Sequence, residues 1–262
     1  MSDLHGRAVV ITGAGRGMGA GIATAAFDAG ASIALVDVIA GSAEAVAARL
    51  DPSGRRAVGL TGDVRLDGDV DRVLGAAVDR FDGPDAWVNN AGIIEMSPAI
   101  DTLSADFDAH LAVNTTAVFR CCQAAARYWR ATGRAGAIVN IASFAGKVGY
   151  PEMIAYNVSK AGVINLTRNL AHEWAADGIN VNCICPSGVD TPMLDAVAAY
   201  HAGEGDPAPI RATMLAGDLG RTITPLEIGR VVAFLLSDDA RVIRGQANSV
   251  DGGDSPYEVP QP

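Results

Sequence analysis

Arg7-Ala-Val-Val-Ile-Thr-Gly-Ala-Gly-Arg-Gly-Met-Gly19 is the stretch that decides the fold. Its first half is apolar and β-branched and reads as a buried strand. Its second half is a glycine turn. Beyond it Ile22, Ala25, Ala26 and Ala29 recur at helical spacing, and Gly30 stops the pattern. Strand, glycine turn and helix in that order make an anion site, because the first N–H groups of a helix have no partner within it. Gly13 permits the tight turn, Gly17 lets backbone approach a pyrophosphate, and Gly19 lets helix pack close to strand. The glycines alone are a weak signal, but the next strand, 32–37, ends in an acid. Asp37 comes 18 residues after Gly19, near the roughly 20 expected of a carboxylate that grips the ribose of NAD. The plainer reading of Asp37 is a solvated strand end.

Working outward, helical and strand-like segments alternate. Helices are expected at 42–50, 67–81, 103–130, 155–175 and 225–236. Strands are expected at 57–60, 86–89, 138–142, 179–185 and 247–250. Such alternation means a parallel sheet covered by helices on both faces, an α/β fold. Right-handed crossovers put the C-terminal ends of all strands on one edge. Thr12, Asp37, Asp63, Asn89, Ser143 and Pro186 fall there, where open α/β sheets bind ligands. Residues 192–224 carry Gly203, Gly205, Pro207, Pro209, Gly217 and Gly220 beside that edge. They read as a lid with one or two short helices. The tail, 251–262, is Pro-rich and expected at the surface.

Composition narrows the class. A chain of 262 residues without a repeat or linker reads as one domain, 1–262. Mean hydropathy is +0.21, yet no apolar run approaches the roughly 18 residues of a membrane span. The N-terminus enters a strand without a signal-like apolar core, so a cytoplasmic location is expected. The formal charge of −10, with no basic tract, makes nucleic acid a poor partner. Cys121, Cys122, Cys183 and Cys185 fit no disulfide or metal spacing, and reduced core thiols are expected, with no metal site. His5, His110, His172 and His201 are scattered and read as non-functional.

Ser143 to Lys160 carries the chemistry. Ser143 follows the strand 138–142. Tyr156 and Lys160 are four apart and share one helix face. A hydroxyl at a strand end can there meet a phenol and an ammonium on the next helix. That set suits moving a proton on or off a substrate alcohol: the phenol as acid/base, the ammonium lowering its pKa, the serine holding the substrate oxygen. A buried tyrosine beside a surface lysine is the plain alternative. Against it, Lys147 and Lys160 are the only lysines among 20 basic residues. A chain that otherwise uses arginine has kept a compact ammonium at 160.

Together these residues resemble a short-chain dehydrogenase/reductase over essentially the whole chain. The matching pieces are Thr12 to Gly19, Asp63-Val64, Asn89-Asn-Ala-Gly92, Asn114, Ser143, Tyr156-x-x-x-Lys160, Asn182 to Thr191 and Val250-Asp-Gly-Gly253. The resemblance implies a doubly wound Rossmann fold of seven parallel strands, a homotetramer, and a catalytic set of Asn114, Ser143, Tyr156 and Lys160. It implies that Lys160 also binds the nicotinamide ribose and that Asn114 holds a water linking Lys160 to solvent. It places the backbone near Met18 at the pyrophosphate and Asp63 and Val64 at the adenine. It places Asn90 and its neighbours Ala91 and Gly92 along the ribose, and Val189 and Thr191, after Pro186, at the carboxamide. The chain departs from the family in one loop. It has Pro186-Ser187-Gly188 where Pro-Gly is usual, so Ser187 loses backbone freedom at positive φ. Tetramer contacts are expected through the helices bearing Asn114 and Tyr156, which are rich in small residues such as Ala124-Ala-Ala126 and Ala161-Gly162.

The reading is an oxidoreductase interconverting a secondary alcohol and a ketone with NAD. Asp37 at the end of the second strand favours NAD, and Val38 and Ile39 supply no cation for a 2′-phosphate. Arg16 could reach such a phosphate or pair with Asp37. The alternatives are an NADPH-dependent reductase of carrier-bound 3-oxoacyl chains and a non-catalytic NAD-sensing protein. The substrate is a small alcohol or ketone. The resemblance puts Glu95, Met96, Phe144, Ala145, Tyr150, Met153, Cys185 and residues of 192–220 around it.

Overall fold

The structure, a computed structural model, describes residues 2–216 and 219–253. Of the sequence expectations, the tail beyond 253 and residues 217–218 of the lid lie outside the described residues. Seven strands form one parallel sheet. They are β1 (Ala8–Thr12), β2 (Ser32–Asp37), β3 (Ala57–Thr61), β4 (Ala86–Asn89), β5 (Gly136–Ile141), β6 (Ile179–Pro186) and β7 (Ala247–Val250), in the order β3-β2-β1-β4-β5-β6-β7. The chain runs outward one way from β1 and then the other way from β4. The crevice between those two strands is the switch point where such sheets take ligands.

Two apolar layers sandwich the sheet. One packs alternate side chains of the strands, such as Val9, Ile11, Ile33 and Leu35, against α1 (Gly17–Asp28), α2 (Ser42–Leu50) and α9 (Pro225–Leu236). The other packs Val10, Ala34, Trp87 and Ile138 against α3 (Asp67–Phe81), α5 (Ala117–Thr132) and α6 (Ile154–Glu173). The strands alternate their side chains between two buried faces, which is why their sequences are almost wholly apolar. α1 and α9 meet through glycine: a Cβ on Gly229 would lie 2.5 Å from the Gly21 carbonyl oxygen. α9 begins with a capping box, in which Thr224 and Glu227 exchange hydrogen bonds to each other's backbone, with Pro225 in the first turn.

The segment expected as one helix over 103–130 is divided. α4 (Ser104–Leu111) leads into a π-helical turn, Ala112–Thr116, before α5 resumes. A π turn has no composition signature, so apolar periodicity reads through it. In the lid region, α7 (Pro192–Ala202) and α8 (Ala208–Ala216) are the two short helices.

All four cysteines are buried and unbridged. Burial pushes the Cys121 thiol up to about 12. Cys183 and Cys185 share one buried face of β6. A polar chain crosses the core between β4 and β5. The Asn89 amide donates to Asn140 Oδ1 at 2.8 Å, and the Asn140 amide donates to Thr167 Oγ1 at 3.0 Å.

Candidate active site

At the C-terminal edge of β5, Ser143 caps a short 3-10 turn, Phe144–Gly146, its Oγ accepting from Ala145 N at 3.1 Å. The turn lies hard against α6. A Cβ on Gly146 would sit 2.7 Å from the Lys160 carbonyl carbon. Glycine there brings the serine up to the tyrosine. Tyr156, in the first turn of α6, is 8% exposed, and Lys160, one turn on, is 4% exposed. Lys160 Nζ lies 5.6 Å from the Tyr156 ring centroid and donates to the Ile141 carbonyl at 2.9 Å.

The electrostatics follow from burial. Burial pushes the Tyr156 phenol up, because an ion there loses its water, and the Ser143 hydroxyl offsets part of the rise. Burial pushes the Lys160 ammonium down to about 8. Lys147 plays a different part. Its ammonium donates to the Ala247 carbonyl and to Ser249 Oγ, both at 2.8 Å, tying the turn after Ser143 to the edge strand β7.

Asn114 sits in the π turn, fully buried. Its Oδ1 accepts from Ile93 N at 2.8 Å, and its Nδ2 donates to the Ile93 carbonyl at 2.9 Å and to Ser159 Oγ at 3.0 Å. It therefore grips the strand-end loop by both polar groups of one residue. Gly92 lies between Asn114 and the lysine. A Cβ there would be 3.3 Å from Asn114 Oδ1 and 3.5 Å from Lys160 Nζ.

Along the β1 edge, Gly13 (φ +61) and Gly17 (φ +52) use backbone that L side chains rarely adopt. A Cβ on Gly19 would fall 2.0 Å from the Gly13 oxygen, so helix and strand touch there. Gly17 and Met18 open α1, with Arg16 before them in extended backbone and exposed to solvent. The Asn90 side chain donates to the Thr12 and Gly13 carbonyls at 3.0 and 2.9 Å. Backbone N–H groups of Asn90 and Ala91 donate to Thr12 Oγ1 at 3.0 and 3.1 Å. Thr12, to which the motif reading gave no role of its own, thus ties the glycine turn to the loop after β4.

Asp37 is 7% exposed. Its two oxygens accept from Gly15 N and Ile39 N, both at 2.9 Å. Among the described residues it has no ion pair with Arg16; backbone orients it instead. Val38 and Ile39 beside it are exposed apolar side chains. Asp63 pairs with Arg65, Oδ2 to Nη2 at 2.6 Å, and this hydrogen bond holds its carboxyl below the usual range. Val64 is partly buried next to it.

After β6, Val189 bridges to Ile223, and Thr191 stands just before α7 with its side chain close to Gly17. Ser187 needs no positive φ, so the serine loses nothing at that position, contrary to the sequence expectation. The tight residue is Gly188, where a Cβ would lie 2.2 Å from the Met214 oxygen.

A cleft opens between the loop after β4 and the turn before Tyr156. Glu95, Met96, Ser97, Thr102, Asp106, His110, Glu152, Ile154 and Ala155 line it. His110, read as non-functional, is buried and holds the loop. Its Nε2 accepts from Glu95 N at 3.0 Å, which leaves Nδ1–H to donate to the Asp106 carbonyl at 2.7 Å. Glu152, which the sequence did not single out, joins the cleft through the turn it occupies. Phe144 and Ala145 are buried, and the Tyr150 ring meets Phe144 edge-on. Cys185 is wholly buried, and Met153 is partly buried just before α6. Among the described residues no three His, Cys, Asp or Glu side chains gather as a metal would require, and no helix is long and apolar enough to cross a membrane.

Comparison with known proteins fits this geometry. A family model described as enoyl-(acyl carrier protein) reductase matches residues 13–255. The 2-(S)-hydroxypropyl-CoM dehydrogenase 3 of Xanthobacter autotrophicus is 37% identical over 251 residues, covering 95% of this chain and 97% of the relative. The cis-4-hydroxycyclohexanecarboxylate dehydrogenase of Sinomonas cyclohexanicum is 38% identical over 249 residues, covering 94% and 96%. The crystal structure of levodione reductase superposes with a TM-score of 0.90 at 32% identity, covering 97% of this chain and 99% of that one. Matched from end to end in sequence and fold, the chain belongs to the short-chain dehydrogenase/reductase family, oxidoreductases that act on CH–OH groups with a nicotinamide cofactor.

Proposed function

We propose that the protein interconverts a secondary alcohol and a ketone, with NAD as hydride carrier and Tyr156 as general acid/base. One observation carries the reading. The Tyr156 phenol, the Ser143 hydroxyl and a buried Lys160 ammonium meet at the edge where the glycine turn opens α1. The residues present fit a dinucleotide. Side chains at Gly13, Gly17 and Gly92 would crowd the crevice or strain it, and Asp37 is held ready by two backbone N–H groups. When bound, the nicotinamide takes or returns the hydride, and the protein manages position and one proton.

In the oxidation direction Ser143 donates to the substrate oxygen and holds it near the phenol. Ionised Tyr156 accepts the hydroxyl proton as the C–H bond gives up its hydride. In reduction Tyr156 returns that proton to the carbonyl oxygen. Lys160, as a cation, favours the ionised phenol through space and reaches the nicotinamide ribose. Asn114, gripping Ile93 beside Gly92, keeps open the route by which Lys160 exchanges protons with solvent. Asp63 and Val64, with exposed Val38 and Ile39, flank the adenine. Asn90, Ala91 and Gly92 line the ribose, Gly17 and Met18 face the pyrophosphate, and Pro186, Val189 and Thr191 hold the carboxamide end. α7 and α8 cover the substrate.

Asp37 supports NAD over NADP. Its oxygens suit the two ribose hydroxyls, whereas a 2′-phosphate would set like charges side by side. At about 4 Å and an effective dielectric of about 20 that costs about 4 kcal/mol. The expected kcat/KM for NAD exceeds that for NADP by at least about tenfold, and Asp37→Ala should narrow the gap. Comparable use of both cofactors by the wild-type enzyme would remove the role given to Asp37. The same carboxylate speaks against an NADPH-dependent 3-oxoacyl reductase, and the complete catalytic set speaks against a non-catalytic NAD sensor.

A homotetramer follows from the same family reading. Leu103, Phe119 and Val158, before α4 and on α5 and α6, are exposed apolar side chains that a partner would cover. Light scattering at micromolar concentration should give four chains. A monomer there sinks the proposal.

A further inference from the structure

Glu152 stands where glycine would be expected. It follows Pro151 in the turn before α6 and has φ +61, one of two non-glycine residues with left-handed backbone among the described residues. A proline followed by positive φ ordinarily selects Gly or Asn. Strain of this kind gathers at ligand sites, because the surrounding structure must hold it. Three elements converge on this residue. Its carbonyl accepts from Ser97 N, in the loop after β4, at 2.9 Å. Its carboxylate lies 3.9 Å from His201 Nδ1 on α7, the proposed cover. Four residues on comes Tyr156.

Among the described residues no lysine or arginine pairs with the carboxylate, and the His201 imidazole is its one ionisable partner of opposite sign. The cleft that Glu152 lines contains Glu95, Asp106 and the hydroxyl residues Ser97 and Thr102, and neither lysine nor arginine. Arg211, on the covering helices, is taken by Asp190 and Asp195. A carboxylate is acceptor-only, so it receives a hydrogen bond from a substrate hydroxyl and repels a second anion. We infer that Glu152 sets the charge of the substrate: the site takes a neutral, hydroxyl-bearing alcohol and turns away the same skeleton bearing a carboxylate or phosphate. Discrimination here is built from repulsion as much as from attraction. The inference rests on the alcohol–ketone reading for its site and adds the class of molecule that enters.

The test uses matched twins, a set of cyclic and open-chain polyols beside the corresponding hydroxy acids. Binding is measured by calorimetry on the NAD-loaded Tyr156→Phe variant at about pH 8, above the ordinary imidazole range. Each neutral twin is expected to bind at least about tenfold more tightly than its acid. Glu152→Gln, and Glu152→Gly, which suits the positive φ, should each cut that ratio severalfold, chiefly by admitting the acid. An acid that binds as well as its neutral twin overturns the inference. So does a ratio unchanged in both variants, or a panel with no neutral binder. Turnover by the wild-type enzyme is read separately. If no twin is oxidised, the alcohol–ketone reading fails while the charge preference is still read from binding.

Discussion

Tyr156→Phe is expected to lower turnover by about 10²–10⁴-fold or more while leaving NAD affinity nearly intact. The substitution removes one oxygen from a ring that is 8% exposed, and the ring itself keeps its packing. What disappears is the proton acceptor. The Ser143 hydroxyl cannot replace it, because an aliphatic alcohol ionises far above the phenol. The loss should fall on kcat, with the substrate still held, which marks a group acting in the transition state. The check is steady-state kinetics beside a cofactor titration. Activity within about threefold of wild type would sink the assignment.

Lys160→Met should be as damaging to turnover, yet the fold should stand it well. Burial lowers the ammonium to about 8 from an ordinary 10.5, so the charged lysine opposes folding. A shift of that size corresponds to about 3 kcal/mol at neutral pH. Methionine removes the penalty and gives up the hydrogen bond to the Ile141 carbonyl, worth about 1–3 kcal/mol once that oxygen is left unpaired. The two nearly offset, and the melting temperature at pH 7 should match or exceed that of wild type. The pH dependence has a definite sign. Between about pH 8 and 10.5 the unfolded lysine binds a proton that the folded one does not, so wild-type stability rises with pH there relative to the variant. Below about pH 8 both states are protonated and the full penalty is present. Thermal unfolding across pH 7–10.5 reads both effects. A variant melting more than about 10 °C lower, or a difference flat with pH, counts against the account.

The sequence made the glycine turn, the strand alternation and the Tyr156–Lys160 pair legible because each is a short-range pattern. Gly13 is needed for its own positive φ and Gly19 by the Gly13 carbonyl a few residues back, and helical spacing alone puts Tyr156 and Lys160 on one face. Residues whose roles depend on contacts across the chain were less visible. Thr12 ties the glycine turn to a loop 78 and 79 residues on, and nothing local marks it. His110 looked like a stray histidine, and only the fold brings the Glu95 N–H to its ring. Glu152 betrays nothing in sequence, since its meaning lies in a positive φ that its residue type does not advertise. Ser187 shows the converse. A departure from the usual Pro-Gly suggested strain, but the left-handed backbone it implied is absent.

The π turn at Ala112–Thr116 has a mechanical consequence. An α-helix advances about 100° per residue, so one extra residue in the ladder re-clocks everything before it against everything after. α5 is phased by the core, with Cys121, Cys122, Ala125, Ala126 and Trp129 turned inward. α4 is phased by the loop after β4, and its one buried side chain is His110, seated under Glu95. A regular α ladder through this region could satisfy one of those two alignments. The turn works as a gear change, letting a core helix and a site helix keep separate timing on one continuous rod, with Asn114 riding on the tooth between them.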